Sequence, residues 1–172
     1  MYAIAKYKNR GCASSFYTMK GSRKRGFKTF CDKESADIAH RHQSFLAKYD
    51  LAPKVYSEVG KIRIGNGKQL SSWGYITEIA KTIGCGGNSC KCGNCDHEEL
   101  EYELSEHIEN LVSEIEDKGY YFGDCHIGNV GWVKRKGWNV LVCIDTGDES
   151  LTETDGPCTC FICRKGGNCQ NE

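Results

Sequence analysis

The chain has 172 residues, with Lys plus Arg 23 and Asp plus Glu 23, so its formal net charge gives no reason to expect a strongly charged partner. That length suits one ordinary domain or two small lobes. No apolar run reaches membrane-span length and Lys6 interrupts the short apolar start, so no membrane partner and no secretory signal are read, and a cytoplasmic location is expected.

Charge is unevenly spread. Met1–Phe30 carries Lys6, Lys8, Arg10, Lys20, Arg23, Lys24, Arg25 and Lys28 and no acid, whereas Asp96–Asp117 is strongly acidic. In chain order, Met1–Tyr7 is expected to be a first strand. Lys8–Ser15 follows with Gly11 and the small residues Ala13, Ser14 and Ser15, then a second strand over Phe16–Met19, a basic turn over Gly21–Arg25 and a third strand over Gly26–Phe30. Strand alternation sends Lys28 to the face opposite Phe27 and Thr29.

Asp32–Tyr49 reads as a helix. Asp32 is a capping residue, and Ile38, His42, Phe45, Leu46 and Tyr49 recur at helical spacing. Pro53 closes the segment Asp50–Pro53 that ends it. Gly60, Gly65 and Gly67 near Ile62 and Ile64 suggest a hairpin, and Ser72–Ile79 a further strand. After a cysteine-rich insertion over Gly84–His97, Asp96 and Glu99 form a capping-box pair. Leu100, Leu104, Ile108, Leu111, Val112 and Ile115 then line one face of a helix that Gly119 is placed to end.

The chain holds 12 cysteines. Cys90, Cys92 and Cys95 form a C-x-C-x-x-C run, as do Cys158, Cys160 and Cys163; Cys85 precedes the first and Cys169 follows the second. Two C-x-x-C pairs far apart in sequence are the usual way to close a tetrahedral zinc site, the simplest here being Cys92, Cys95, Cys160 and Cys163. Eight cysteines also suffice for two zinc ions, and His97 can replace one ligand. Disulfides, which are rare inside a cell, and a redox pair are the competing readings. Cys12, Cys31, Cys125 and Cys143 are isolated and read as ordinary core or loop residues. Protein purified without chelator is expected to carry one or two zinc ions per chain, more easily lost at acid pH because thiolate ligands protonate. Elemental analysis showing no metal, with these cysteines in disulfides, overturns the zinc reading.

The most informative stretch is Tyr120–Ser150. Val130–Val133 and Val140–Ile144 read as the strands of a hairpin around the basic turn Lys134–Gly137. A hairpin brings its ends together, so Asn129 and Asp145 lie side by side with Asp124 just upstream. That set of hard oxygen donors suits Mg²⁺, which is usually held by one or two carboxylates plus substrate phosphates.

Gly123-Asp124-Cys125-His126-Ile127-Gly128-Asn129, followed by Asp145-Thr146-Gly147, resembles the catalytic and metal loops of the protein-kinase-like superfamily. It is similar to the form found in aminoglycoside and other small-molecule kinases and in viral kinase-like proteins. The family's His two residues before the base is Phe122 here. The resemblance implies an α+β bilobal fold, with a small antiparallel-sheet N-lobe over 1–80 and a truncated C-lobe over 81–150. The cysteine-rich insertion lies within the C-lobe, and a tail over 151–172 packs on it through the zinc site. It implies an ATP- and Mg²⁺-dependent phosphotransferase acting on a hydroxyl acceptor, protein or small molecule. Asp124 would be the catalytic base, and Asn129 and Asp145 would hold Mg²⁺. Lys28 would contact the phosphates, with Gly11 in the loop over them, Glu34 as the helix partner of Lys28, and the adenine contact near Glu78–Ala80. The competing readings are a pseudokinase serving as a binding module and a zinc-containing nucleic-acid binder using the basic first segment. Small size and cysteine-rich additions suggest a viral source, which would place the protein in the host cytoplasm.

Overall fold

A computed structural model describes residues 4–10, 14–64, 70–83 and 97–154. Gly11, the capping residue Asp96 and all eight cysteines of the proposed zinc site lie outside them. Among the described residues, no helix is long and apolar enough to cross a membrane. No group of three or more His, Cys, Asp and Glu side chains there is able to hold a metal.

The first part is a five-stranded antiparallel sheet: β1 (Ile4–Arg10), β2 (Ser14–Met19), β3 (Arg25–Phe30), β4 (Gly60–Ile64) and β5 (Leu70–Glu78), ordered β1-β2-β3-β5-β4. Helix α1 (Lys33–Leu46) connects β3 to β4 and covers one face. Alternation sorts the residues of β3 as expected. Phe30 packs with Ala36, Ala39 and Tyr75 under the helix, while Phe27 packs with Ile62 and Ile76 on the other face. Lys28 pairs in register with Tyr75 and is buried. The strands approach tightly here, because a Cβ on Gly74 would meet the Lys28 carbonyl oxygen at 2.1 Å.

Asp32 caps α1, its carboxylate accepting from the Ser35 N–H at 2.8 Å and the Ser35 hydroxyl at 2.9 Å. The α-helix ends three residues before the expected Tyr49. After Leu46 a 3₁₀ turn covers Ala47–Tyr49, and Asp50 adopts a left-handed φ of 61°. The stop is a packing decision: Leu46, Leu51 and Ala52 enter the second core, and the chain must turn sharply between them.

The second part contains β6 (Lys81–Thr82), α2 (His97–Glu116), β7 (Tyr120–Phe122), β8 (Val130–Arg135), β9 (Trp138–Cys143) and β10 (Leu151–Glu153). Leu111 and Ile115 of α2 are buried against Tyr120, Phe122, Val130 and Leu141, with Ile108 and Val112 beside them, the face read from the sequence. Gly119 takes a φ of 82° and its N–H returns to the Glu116 carbonyl at 2.9 Å, ending the helix as expected. The β8–β9 hairpin is longer and its turn tighter than expected. Arg135 pairs with Trp138 around Lys136 and Gly137, whose φ values of 50° and 94° are those of a two-residue type I′ turn.

Three short strands had no sequence signal. β6 pairs with β8, and β10 pairs with β7. Leu151–Glu153, placed in the tail by the sequence reading, is therefore part of the second body, with Leu151 fully buried. The architecture is α+β with small antiparallel sheets and few helices.

Candidate functional site

The two cores leave a cleft of ≈ 200 Å³ between them. Ser14 and Phe16 of β2 and Lys28 of β3 line it from the five-stranded sheet, and Asn129, Ile144 and Asp145 from the base of the β8–β9 hairpin. Gln43 and Thr77 line it beside α1, and Glu78, Ala80 and Thr82 along the crossing between the sheets.

The hairpin base behaves as the sequence suggested. Ile144 N–H donates to the Asn129 carbonyl at 2.9 Å, which sets Asn129 and Asp145 next to each other. The preceding loop is held by its own backbone: Asn129 N–H donates to the His126 carbonyl at 2.8 Å, and Gly128 N–H to His126 Nδ1 at 3.0 Å. A neutral His126 therefore carries its proton on Nε2, which lies 3.7 Å from Asp124 Oδ2. Asn129 Nδ2 donates to Asp124 Oδ2 at 2.8 Å and to the Asp124 carbonyl at 2.9 Å. Both amide protons being engaged there, the Asn129 side-chain oxygen is left as the acceptor available to a cation or ligand.

Asp145 is anchored from three sides. Its Oδ2 accepts from the Ser150 hydroxyl at 2.9 Å, while Oδ1 accepts from Gly147 N–H at 3.4 Å and lies 3.6 Å from Lys28 Nζ. Burial pushes its carboxyl upward, but the Lys28 ammonium, the Ser150 hydroxyl and the Gly147 N–H outweigh this and hold it below the usual aspartate value. Lys28 Nζ also donates to the Ile144 carbonyl at 3.0 Å. Its ion pair is thus with Asp145. Glu34, expected as its partner, is exposed on the first turn of α1, and the nearby Asp37 pairs instead with Lys33. The reason is spacing: the helix residues packed toward the sheet are Ala36 and Ala39, which carry no charge.

No family model matches this chain, and no curated protein matches it. Among solved structures it is similar to a low-resolution structure of WbdD with its C-terminal bundle ordered, at 16% identity and TM-score 0.43, covering 92% of this chain and 32% of that one. A co-crystal structure of WbdD with a kinase inhibitor is similar at 14% identity and TM-score 0.37, covering 90% of this chain and 34% of that one. The chain thus spans about a third of the length of the WbdD chains it matches.

The surroundings narrow the chemistry. Burial, and then the Asp124 charge, push the Cys125 thiol up to about 11, so it is no thiolate nucleophile near neutral pH. Glu78, expected near an adenine contact, lines the cleft, but its carboxylate is committed elsewhere. Arg135 Nη1 donates to Oε1 at 2.8 Å, and Lys54 N–H donates to Oε2 at 3.1 Å. The backbone N–H groups of Glu78 and Ile79 are engaged as well, donating to the Lys54 carbonyl at 2.8 Å and the Lys24 carbonyl at 2.9 Å. Arg135 reaches Asp50 as well, fastening β8 to the end of α1 and to the crossing strand. Its side chain is 10% exposed, so truncation strands the Glu78 carboxylate in a mostly buried place. Arg135→Ala is expected to cost about 2 kcal/mol in chemical unfolding, below a fully buried pair because Asp50 is open to water. A change within about 0.5 kcal/mol would show the clamp to be inert.

Sequence reading missed Arg135, assigned to a turn, together with Ser150 and Gln43. Gln43 Nε2 donates to the Pro53 carbonyl at 2.8 Å and its oxygen accepts from the Tyr75 hydroxyl at 2.8 Å, a buried network behind the cleft. The one available signal was a Gln in the middle of an amphipathic helix.

Proposed function

We propose that this chain is a kinase-like phosphotransferase that moves the terminal phosphate of ATP to a hydroxyl acceptor. The observation that carries this is the buried Lys28 paired with Asp145 in a cleft that also holds Asn129, itself hydrogen-bonded to Asp124. The order of elements supports it: an antiparallel sheet with one covering helix, a crossing strand, a long helix and a hairpin bearing the polar loop.

The donors fit Mg²⁺. One carboxylate, Asp145, and one amide oxygen, Asn129, stand together, which suits a cation that keeps waters and substrate phosphates as its other ligands. When bound, the ion would neutralise charge on the phosphate oxygens. The Lys28 ammonium attracts and orients those oxygens. Asp124, with its side chain 58% exposed, is open to an acceptor and takes the hydroxyl proton as the acceptor oxygen bonds to phosphorus and the bond to ADP breaks. The zinc staple belongs to this proposal as a tie between segments 84–97 and 155–172.

A pseudokinase is the second reading, favoured by the exposed position of Glu34 and by an ion pair of Lys28 with Asp145 and with no carboxylate of α1. Titration with ATP, with and without Mg²⁺, followed by turnover assays, tests both. Mg²⁺-dependent binding with phosphate transfer supports the enzyme, and binding without transfer supports the pseudokinase. Absence of nucleotide binding removes both.

A further inference from the structure

The place expected of a helix glutamate is not empty of contacts. Thr146, the middle residue of Asp145-Thr146-Gly147, is fully buried. Its hydroxyl donates to the Ala39 carbonyl of α1 at 3.0 Å. A hydroxyl has one proton, so with that proton given to Ala39 the lone pairs of Oγ1 face away from the helix. Lys28 Nζ lies 3.5 Å from that oxygen and donates to it. The chain of contacts runs from Lys28 through the Thr146 hydroxyl to the helix backbone.

We infer that Thr146 is a positioning residue for Lys28, coupling its ammonium to helix α1 in place of a helix carboxylate. This rests on the kinase-like reading for its catalytic consequence, though not for the contact itself. Two features make the arrangement specific. Ala39 has only a methyl group and is fully buried, so the loop bearing Thr146 approaches the helix backbone closely. The bridge is also neutral. A carboxylate in that position would compete with phosphate for the lysine, whereas a hydroxyl holds the ammonium while leaving most of its charge for Asp145 and a ligand. Lys28 then has three oxygen partners, the Ile144 carbonyl, Asp145 and Thr146, all contributed by the segment just after β9. The Lys28 ammonium itself reaches the α1 backbone through that segment, by way of the Thr146 hydroxyl.

Thr146→Val keeps the shape and removes the hydroxyl, and Thr146→Ser restores it. With wild type binding Mg²⁺-ATP, Thr146→Val is expected to weaken nucleotide affinity roughly tenfold, the loss of one hydrogen bond to a charged group. Thr146→Ser is expected to stay within about twofold of wild type, since it keeps the bond. A purely packing role predicts the reverse order, because Ser lacks the methyl group that Val retains, and that order would overturn the inference. A second measurement needs no nucleotide: melting temperatures of Lys28→Met, Thr146→Val and the double variant. Non-additive shifts are expected for groups in contact, and additive shifts would overturn the coupling. If wild type binds no nucleotide while the melting shifts remain non-additive, the kinase-like reading falls and the Thr146 bridge stands. If Thr146→Val does not fold, Thr146→Ala takes its place in the same cycle with Lys28→Met, and additive shifts again overturn the coupling.

Discussion

Asp124→Asn is expected to lower kcat by about 10²–10⁴-fold while leaving the affinity for Mg²⁺-ATP within about twofold, the range for loss of a positioned general base. The carboxylate is more than half exposed and is not among the groups lining the cleft, so its replacement does not reshape the nucleotide site. An amide in the same place keeps an oxygen to accept from Asn129 Nδ2, so the loop conformation is preserved. What disappears is the ability to take a proton from an acceptor hydroxyl. Steady-state turnover combined with nucleotide titration checks this. An unchanged kcat would show that Asp124 is not the base, and a parallel loss of nucleotide binding would show its role to be structural.

Asp145→Asn should act on the other half of the site, with Mg²⁺-dependent nucleotide affinity falling by at least about tenfold as the one carboxylate charge that faces both the lysine and the cation is removed. Of its present contacts, the Ser150 hydroxyl and Gly147 N–H both donate to the carboxylate, and Lys28 pairs with it. An amide has one acceptor atom where the carboxylate has two, so at least one of these contacts is lost. The variant also has a pH signature. Because the folded-state pKa of Asp145 is depressed, its contribution to stability is present above the unfolded-state value. That contribution is lost as pH falls through the folded value, which lies below that of an ordinary aspartate. The side chain is 36% exposed, so the contribution is modest. Wild type and Asp145→Asn should therefore differ in melting temperature at neutral pH and converge as pH falls through the depressed folded value. Calorimetry across that range, with Mg²⁺-ATP titration at neutral pH, checks both effects. Mg²⁺-dependent affinity equal to wild type would exclude Asp145 as a cation ligand.

Several features of this fold were legible in the sequence because their causes are local. The apolar face of α2 follows from the 3.6-residue period, and its end from a glycine free to take positive φ. The β8–β9 hairpin follows from two apolar runs around Lys136-Gly137. Once the hairpin exists, Asn129 and Asp145 are brought together by its register, with no help from the rest of the molecule. The side of β3 on which Lys28 stands follows from strand alternation alone.

The partners of these groups were decided by the tertiary structure. Lys28 meets Ile144 and Thr146 across 116 and 118 residues of chain, and Arg135 meets Asp50 and Glu78 across 85 and 57. Such contacts depend on how far α1 sits from the sheet and how β8 crosses behind it, quantities set by the packing of Ala36, Ala39, Leu46 and Leu51. Glu34 as the helix partner of Lys28 is an expectation of the family resemblance, with no local signal behind it. The helix instead packs toward the sheet through the small buried Ala36 and Ala39, and the Thr146 hydroxyl reaches the Ala39 carbonyl there. The three-residue strands β7 and β10 were invisible for a related reason: they are too short to show a period, and pair only because Phe122 and Leu151 are drawn into one core.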